Sequence, residues 1–217
     1  MKKYLGFIVL LIVFSCSKEK TNGLFELMDA DDTGIHFENT VTNADGFNIF
    51  NYRNFYNGAG VAVGDINNDN LPDVFFTSNM GANKLYLNKG NFKFEDISAK
   101  AGIGDSTKWN TGVVMVDINN DKLLDIYVCN AGINKFIKKQ TNSLFVNNGN
   151  NTFTESAAKY GLDEGGYTTH AAFFDYDLVG DLDCYILNNS FIPVNTLDFS
   201  NNRNLRSEDW PVKDYLK

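Results

Sequence analysis

The chain is poor in the residues that most catalytic chemistry needs. It holds two histidines, His36 and His170, and three cysteines, Cys16, Cys129 and Cys184. No HExxH run and no Cys/His zinc spacing can be built from them, which excludes the common zinc centres. A G-x-S-x-G elbow and a phosphate-cradling glycine loop are missing as well. Basic residues number 19 against 27 acidic ones, a net charge of −8, and they form no stripe able to neutralise phosphates. Nucleic acid is therefore excluded as a partner. The apolar run Leu5 to Phe14 is too short to span a membrane as a helix.

What is abundant is aspartate and asparagine in a fixed order. Asp65 to Asp73 reads DINNDNLPD, and related stretches return at Asp117 to Asp125 and Asp175 to Asp183. The first aspartates recur at intervals of 52 residues (65 to 117) and 58 residues (117 to 175), a period typical of propellers or solenoids. Side-chain oxygens stand at positions 1, 3, 5 and 9, through Asp65, Asn67, Asp69 and Asp73 and again through Asp117, Asn119, Asp121 and Asp125. Hard oxygen donors crowded in this way suit calcium. Position 7, held by Leu71, Leu123 or Asp181, would add a backbone carbonyl. The third loop offers Asp175, Asp177 and Asp183 but has Val179 at position 5, so it is expected to be the weaker of three calcium sites. An EF-hand is excluded because position 12 is Phe76, Val128 or Ile186 rather than a bidentate Glu. Position 6 needs a left-handed residue, and Asn70, Lys122 and Gly180 suit it to different degrees.

The N-terminus carries export signals. Met1-Lys2-Lys3 and Leu5 to Phe14 form the basic and apolar parts of a signal peptide over residues 1–15. Val13-Phe14-Ser15-Cys16 resembles a bacterial lipobox, which makes Cys16 the expected lipidation site of an outer-membrane-anchored lipoprotein. The alternatives are cleavage elsewhere and a retained membrane segment. Residues 16–33 would be a tether, and Gly34 to Asn39 alternates as a strand does. Asn43-Ala44-Asp45-Gly46 is a turn signal.

From Asn57 the chain divides into repeated units at 57–105, 109–163 and 167–217, the last incomplete. The first two read as four short strands each. Runs beside the loops, such as Val113 to Val116 and Ala171 to Phe174, are continuously apolar and predict burial on both faces. Outer runs such as Phe92-Lys93-Phe94-Glu95 alternate and predict burial on one face. That gradient favours an all-β propeller of four-stranded blades over a two-sheet sandwich. Asn147-Asn148-Gly149-Asn150 predicts a type I′ hairpin. No third- or fourth-strand counterpart is visible beyond Asn188, so the chain reads as the N-terminal part of a longer polypeptide, or as one that closes by association. Cys184 follows its loop by one residue and Cys129 by four. Their side chains should point to opposite faces of equivalent strands, so two buried thiols are expected rather than a disulfide. His170 aligns with Gly60 and Gly112 and reads as a packing variation rather than a base. Trp109, Tyr56 and Tyr167 precede the inner strands and are expected to fill wedges between blades; the other possibility is a contact face for sugar or protein.

Phe55 to Asp69 resembles the FG-GAP (VCBS-type) repeat of the integrin α-chain propeller and of many bacterial exported proteins. Phe173-Phe174-Asp175-Tyr176-Asp177 and Leu85 to Gly90 are similar to the bacterial branch that often carries a C-terminal ASPIC/UnbV domain. The resemblance covers about residues 34–190 and implies a calcium-binding propeller, usually of seven blades, on an exported or surface protein. The function expected is a cell-envelope binding or adhesion module, without enzymatic activity, that contacts a protein or glycan ligand. The alternatives are the N-terminal part of a propeller-based carbohydrate-active or oxidising enzyme, and a structural component of an envelope complex.

Overall fold

The computed structural model describes residues 23–43, 47–50, 52–104, 107–131 and 140–189. The signal peptide, Cys16, residues 44–46 of the proposed turn and everything after Asn189 lie outside the described residues.

Among the described residues ten strands and three one-turn helices follow in order: α1 (Ala30–Thr33), β1 (Val61–Gly64), β2 (Asp73–Phe76), β3 (Lys84–Asn88), β4 (Phe94–Asp96), α2 (Ser98–Ala101), β5 (Asn110–Val116), β6 (Asp125–Asn130), β7 (Ser143–Asn147), β8 (Phe153–Glu155), α3 (Ala157–Tyr160), β9 (Thr168–Phe174) and β10 (Asp183–Asn188). They make three antiparallel sheets, β1-β2-β3-β4, β5-β6-β7-β8 and β9-β10. The fold is all-β and propeller-like, and each aspartate loop joins the first two strands of its sheet.

The sheets stack face to face. Phe75, Leu85 and Leu87 of the first sheet meet Val113, Ile126, Val128 and Phe145 of the second in one apolar cluster. Tyr127, Cys129 and Leu144 of the second meet Ala171, Phe173, Cys184 and Ile186 of the third in another. Inner strands approach closely enough to require glycine. A Cβ on Gly60 would lie 2.7 Å from the Thr111 carbonyl oxygen, and one on Gly112 would run into the carbonyl of Thr169. Gly60, Gly112 and His170 thus occupy equivalent rows, as their alignment predicts. The third cluster is aromatic: Phe47, Tyr52 and Phe55, from the chain before β1, pack against Trp109 and Tyr167.

Several local expectations are corrected. Gly34 to Asn39 forms no strand. The stretch read as tether ends in α1, whose Thr33 is buried. The hairpin after β7 is not type I′, because positive φ falls on Gly149 (79°) and Asn151 (62°), with Asn148 N–H donating to the Thr152 carbonyl across a wider loop. The matching loop after β3 places positive φ on Gly90, Asn91 and Phe92, which removes Phe92 from β4. Burial on both faces does not extend to β1 or β9, where alternate residues are exposed, because each has a neighbouring sheet on one side only among the described residues. Both thiols are free, as expected, yet they share one cluster. Opposite faces of equivalent strands confront each other when sheets stack, and Cys184 is half-buried rather than buried as expected.

Candidate metal-binding loops

Short side chains that bond their own backbone build each loop. In the first, Asp65 Oδ1 accepts from the N–H of Asn67 (3.3 Å) and Asp69 (3.2 Å), and Oδ2 accepts from Asn70 N–H (2.7 Å). Asp69 Oδ1 accepts from Leu71 N–H (2.8 Å). Asp73, at the start of β2, is wholly buried and accepts from Ile66 N–H (3.0 Å) and Asn88 N–H (2.7 Å). It thereby ties the loop to the third strand.

The second loop repeats all of these bonds but the one from Asn67 N–H. Asp117 accepts from Asp121 and Lys122 N–H (3.1 and 2.8 Å), Asp121 from Leu123 N–H (2.8 Å), and buried Asp125 from Ile118 and Asn147 N–H (3.0 and 2.8 Å). The loops also touch. Asn68 Nδ2 donates to the Lys122 carbonyl (3.0 Å), and Asn147 Nδ2 donates to the Ile66 carbonyl (2.8 Å). Position 6 is left-handed in all three loops, at Asn70 (66°), Lys122 (72°) and Gly180 (95°). Position 4 is left-handed too, at Asn68 (60°), Asn120 (59°) and Leu178 (61°), a requirement that sequence reading missed although asparagine at 68 and 120 signalled it.

Burial raises the Asp73 and Asp125 carboxyls above the ordinary range; hydrogen bonds from Asn88 and Asn147 offset part of this, and the neighbouring loop aspartates add to it. A cation nearby would reverse that balance. The donor set is entirely oxygen, the kind calcium takes. Leu71 and Leu123 enter through their N–H groups. Asn67 and Asn119 oxygens accept from Asp69 and Asp121 N–H, while their amide nitrogens donate to Asp69 Oδ2 (3.0 Å) and Asp121 Oδ2 (2.9 Å).

The third loop differs. Asp175 accepts from Val179 and Gly180 N–H (3.1 and 3.0 Å), and Asp183 accepts from Tyr176 N–H (2.8 Å). Asp177 replaces the asparagine of the other loops. One oxygen each from Asp175, Asp177 and Asp183 lies within 4.8 Å of the others. Val179 and Asp181 are exposed and outside that group. Asp177 thus adds a third carboxylate to this loop's cluster, at the position where the first two loops carry an amide.

The aromatic positions separate. Trp109 is buried at the wedge. Tyr167 is half-buried and stacks on Tyr52 at 5.7 Å, whereas Tyr56 is exposed and donates to Asn43 Oδ1 (3.0 Å). Phe55 takes the inner place assigned to Tyr56.

Residues 65–128, two loops with the sheet between them, match the FG-GAP-like repeat family. The chain carries FG-GAP-like repeat sequence. It is also similar to cartilage acidic protein 1: 34% identical over 121 residues to that of Xenopus tropicalis, 39% over 69 residues to that of Mus musculus and 38% over 69 residues to that of Homo sapiens. These stretches cover 55%, 32% and 32% of this chain but only 18%, 11% and 10% of the relatives. Among the described residues no helix is long and apolar enough to cross a membrane.

Proposed function

We propose that the chain is the repeat segment of an exported, lipid-anchored binding module at the bacterial outer membrane, with calcium as a structural ion in its loops. The observation that carries this reading is the shared bonding of the first two loops, each ending in a buried aspartate fixed by two N–H donors. Asp65, Asn67, Asp69 and Asp73, their equivalents Asp117, Asn119, Asp121 and Asp125, and the trio Asp175, Asp177 and Asp183 would hold the ions, with backbone carbonyls from Leu71, Leu123 and Asp181. Calcium, when bound, supplies positive charge that offsets the carboxylates of each loop. The loop residues themselves fix the turn between two packed strands and leave the exposed faces to contact a protein or glycan. Cys16 is the proposed anchor point.

Chelation tests the calcium reading. A site held at 100 times its Kd contributes about 2.7 kcal/mol, so EDTA should lower Tm by several degrees and calorimetric titration should return calcium binding. An unchanged Tm together with a flat titration would overturn the metal role and leave the fold untouched.

A further inference from the structure

A cavity of about 220 Å³ opens beside the first residues of the inner strands. Tyr52, Asn57 and Gly58, from the chain ahead of β1, bound one side of it; Thr111 and Gly112 of β5 and Thr169 of β9 bound the other. Its walls come from all three repeats, so it exists only once the sheets have stacked. It is smaller than the ~300–1,000 Å³ of sites that take drug-sized ligands, which limits its occupant to about one small ring. The walls are fixed. Tyr52 stacks on Phe47 (5.8 Å) and on Tyr167 (5.7 Å), and the turn that follows it is closed by Phe55 N–H on the Tyr52 carbonyl (3.0 Å).

Internal hydrogen bonding leaves both donors and acceptors unused along this wall. Asn57 N–H donates to the Asn54 carbonyl (3.1 Å) and Gly60 N–H to Thr77 Oγ1 (2.6 Å). The two N–H groups between them, of Gly58 and Ala59, donate to no group among the described residues. Gly58 is left-handed (φ 82°), and a Cβ there would meet nothing within 4 Å, so the backbone at this point is open to a ligand. Asn57 uses its amide nitrogen on Asn54 Oδ1 (3.0 Å), which leaves its own Oδ1 as an acceptor. Thr169 gives its hydroxyl proton to the Leu187 carbonyl (3.2 Å) and keeps the oxygen lone pairs. Thr111 is different, because its hydroxyl serves the Cys129 and Thr168 carbonyls and its own carbonyl accepts from Thr77. It supplies wall and no free polar group.

None of the lining residues carries a charge. Burial pushes the Tyr52 phenol up to about 12, with Tyr167 adding to it, so that group stays a neutral hydroxyl. Two adjacent N–H donors by themselves would suit an anion. An anion has no proton for Asn57 Oδ1 or Thr169 Oγ1, and the net charge of −8 repels it. A ring bearing several hydroxyls donates and accepts together, which is the combination this wall asks for.

We propose that the cavity binds the terminal residue of a glycan, an uncharged hexose ring held by the N–H groups of Gly58 and Ala59 and by the side-chain oxygens of Asn57 and Thr169. This rests on the reading of the chain as a module that contacts a protein or glycan, and narrows that partner to the glycan and its place to the start of the inner strands.

Titration followed by ¹H–¹⁵N NMR tests it, with the methyl glycosides of glucose, galactose, mannose and N-acetylglucosamine as probes. At least one should bind saturably with a Kd of about 1 mM or tighter, moving the amides of Gly58, Ala59 and Gly112 and leaving Gly90, on a distant loop, in place. Asn57→Ala and Thr169→Val remove oxygens from an exposed and a half-buried side chain. Each should weaken binding by about 10-fold with the rest of the spectrum unchanged, whereas Tyr56→Phe, outside the cavity, should bind like the parent. Glucuronate should bind more weakly than methyl glucoside. No saturable shift with any of the four glycosides, shifts centred elsewhere, unchanged affinity in both Asn57→Ala and Thr169→Val, or tighter binding of glucuronate would each overturn the proposal. The aspartate loops contribute no residue to the cavity, so a failure here removes the sugar site and leaves the calcium reading to the chelation test.

Discussion

Strands β6 and β10 leave equivalent aspartate loops, yet their surroundings differ. Every residue of β6, from Asp125 to Asn130, is buried, while β10 keeps only Cys184 and Ile186 half-buried and exposes Tyr185 and Leu187. The half-buried pair is the one turned toward the second sheet. Sheet β5-β6-β7-β8 has a neighbour on both faces; sheet β9-β10 has one on a single face among the described residues. An apolar strand therefore does not carry its own burial. It acquires burial from the sheets on either side, and the same substitution should cost more in β6 than in β10.

The largest contrast is expected at the ninth loop position. Asp125→Ala strips the acceptor from Ile118 and Asn147 N–H groups, and with each orphaned buried donor costing about 1–3 kcal/mol the loss should be about 3 kcal/mol. Asp183→Ala affects an exposed carboxylate that accepts from Tyr176 N–H, and should cost less than about 1 kcal/mol. Urea midpoints measured in EDTA separate these effects from any bound ion; equal losses would break the comparison.

A smaller contrast tests the stacking itself. Gly112→Ala pushes a methyl into the Thr169 backbone and the His170 ring, and overpacking of this kind costs about 1–3 kcal/mol. Gly104→Ala meets nothing within 4 Å and should stay within about 0.5 kcal/mol of the parent protein. Thermal melts of the two variants sharpen the difference between an inner-strand seam and an open loop.

The thiols give the subtlest readout. Burial, with Cys184 adding to it, pushes the Cys129 thiol up to about 12. At pH 8 roughly one Cys129 in ten thousand is then thiolate. Iodoacetamide should label the half-buried Cys184 first and reach Cys129 only on unfolding, which mass spectrometry of timed digests would read. Because the folded thiol titrates higher than the unfolded one, its contribution to stability is present below about pH 8.5 and falls as pH rises toward 12.

Much of the fold was legible because the repeat was. Once Asp65, Asp117 and Asp175 were aligned, the strands on either side followed within a residue or two, and β3 was read to its ends. Turn detail was less legible, since Asn147-Asn148-Gly149 admits several hairpins and the choice rests on where Asn151 goes. Gly34 to Asn39 alternates as a strand would, but an isolated strand forms only against a partner edge, and the segment instead follows α1 across the first sheet. The left-handed fourth loop position was visible in Asn68 and Asn120 and hidden by Leu178.

The sequence by itself determined the repeat, the all-β class, the order of strands and the aspartate loops, because periodicity, β-propensity and short-range Asp/Asn bonding are local properties of the chain. Only the tertiary structure decided which faces are covered, that Cys129 and Cys184 confront each other, that Phe55 rather than Tyr56 joins Trp109, and that α1 packs on the first sheet. Those outcomes depend on which sheet lies next to which, and stacking brings together residues separated by one or two repeats along the chain.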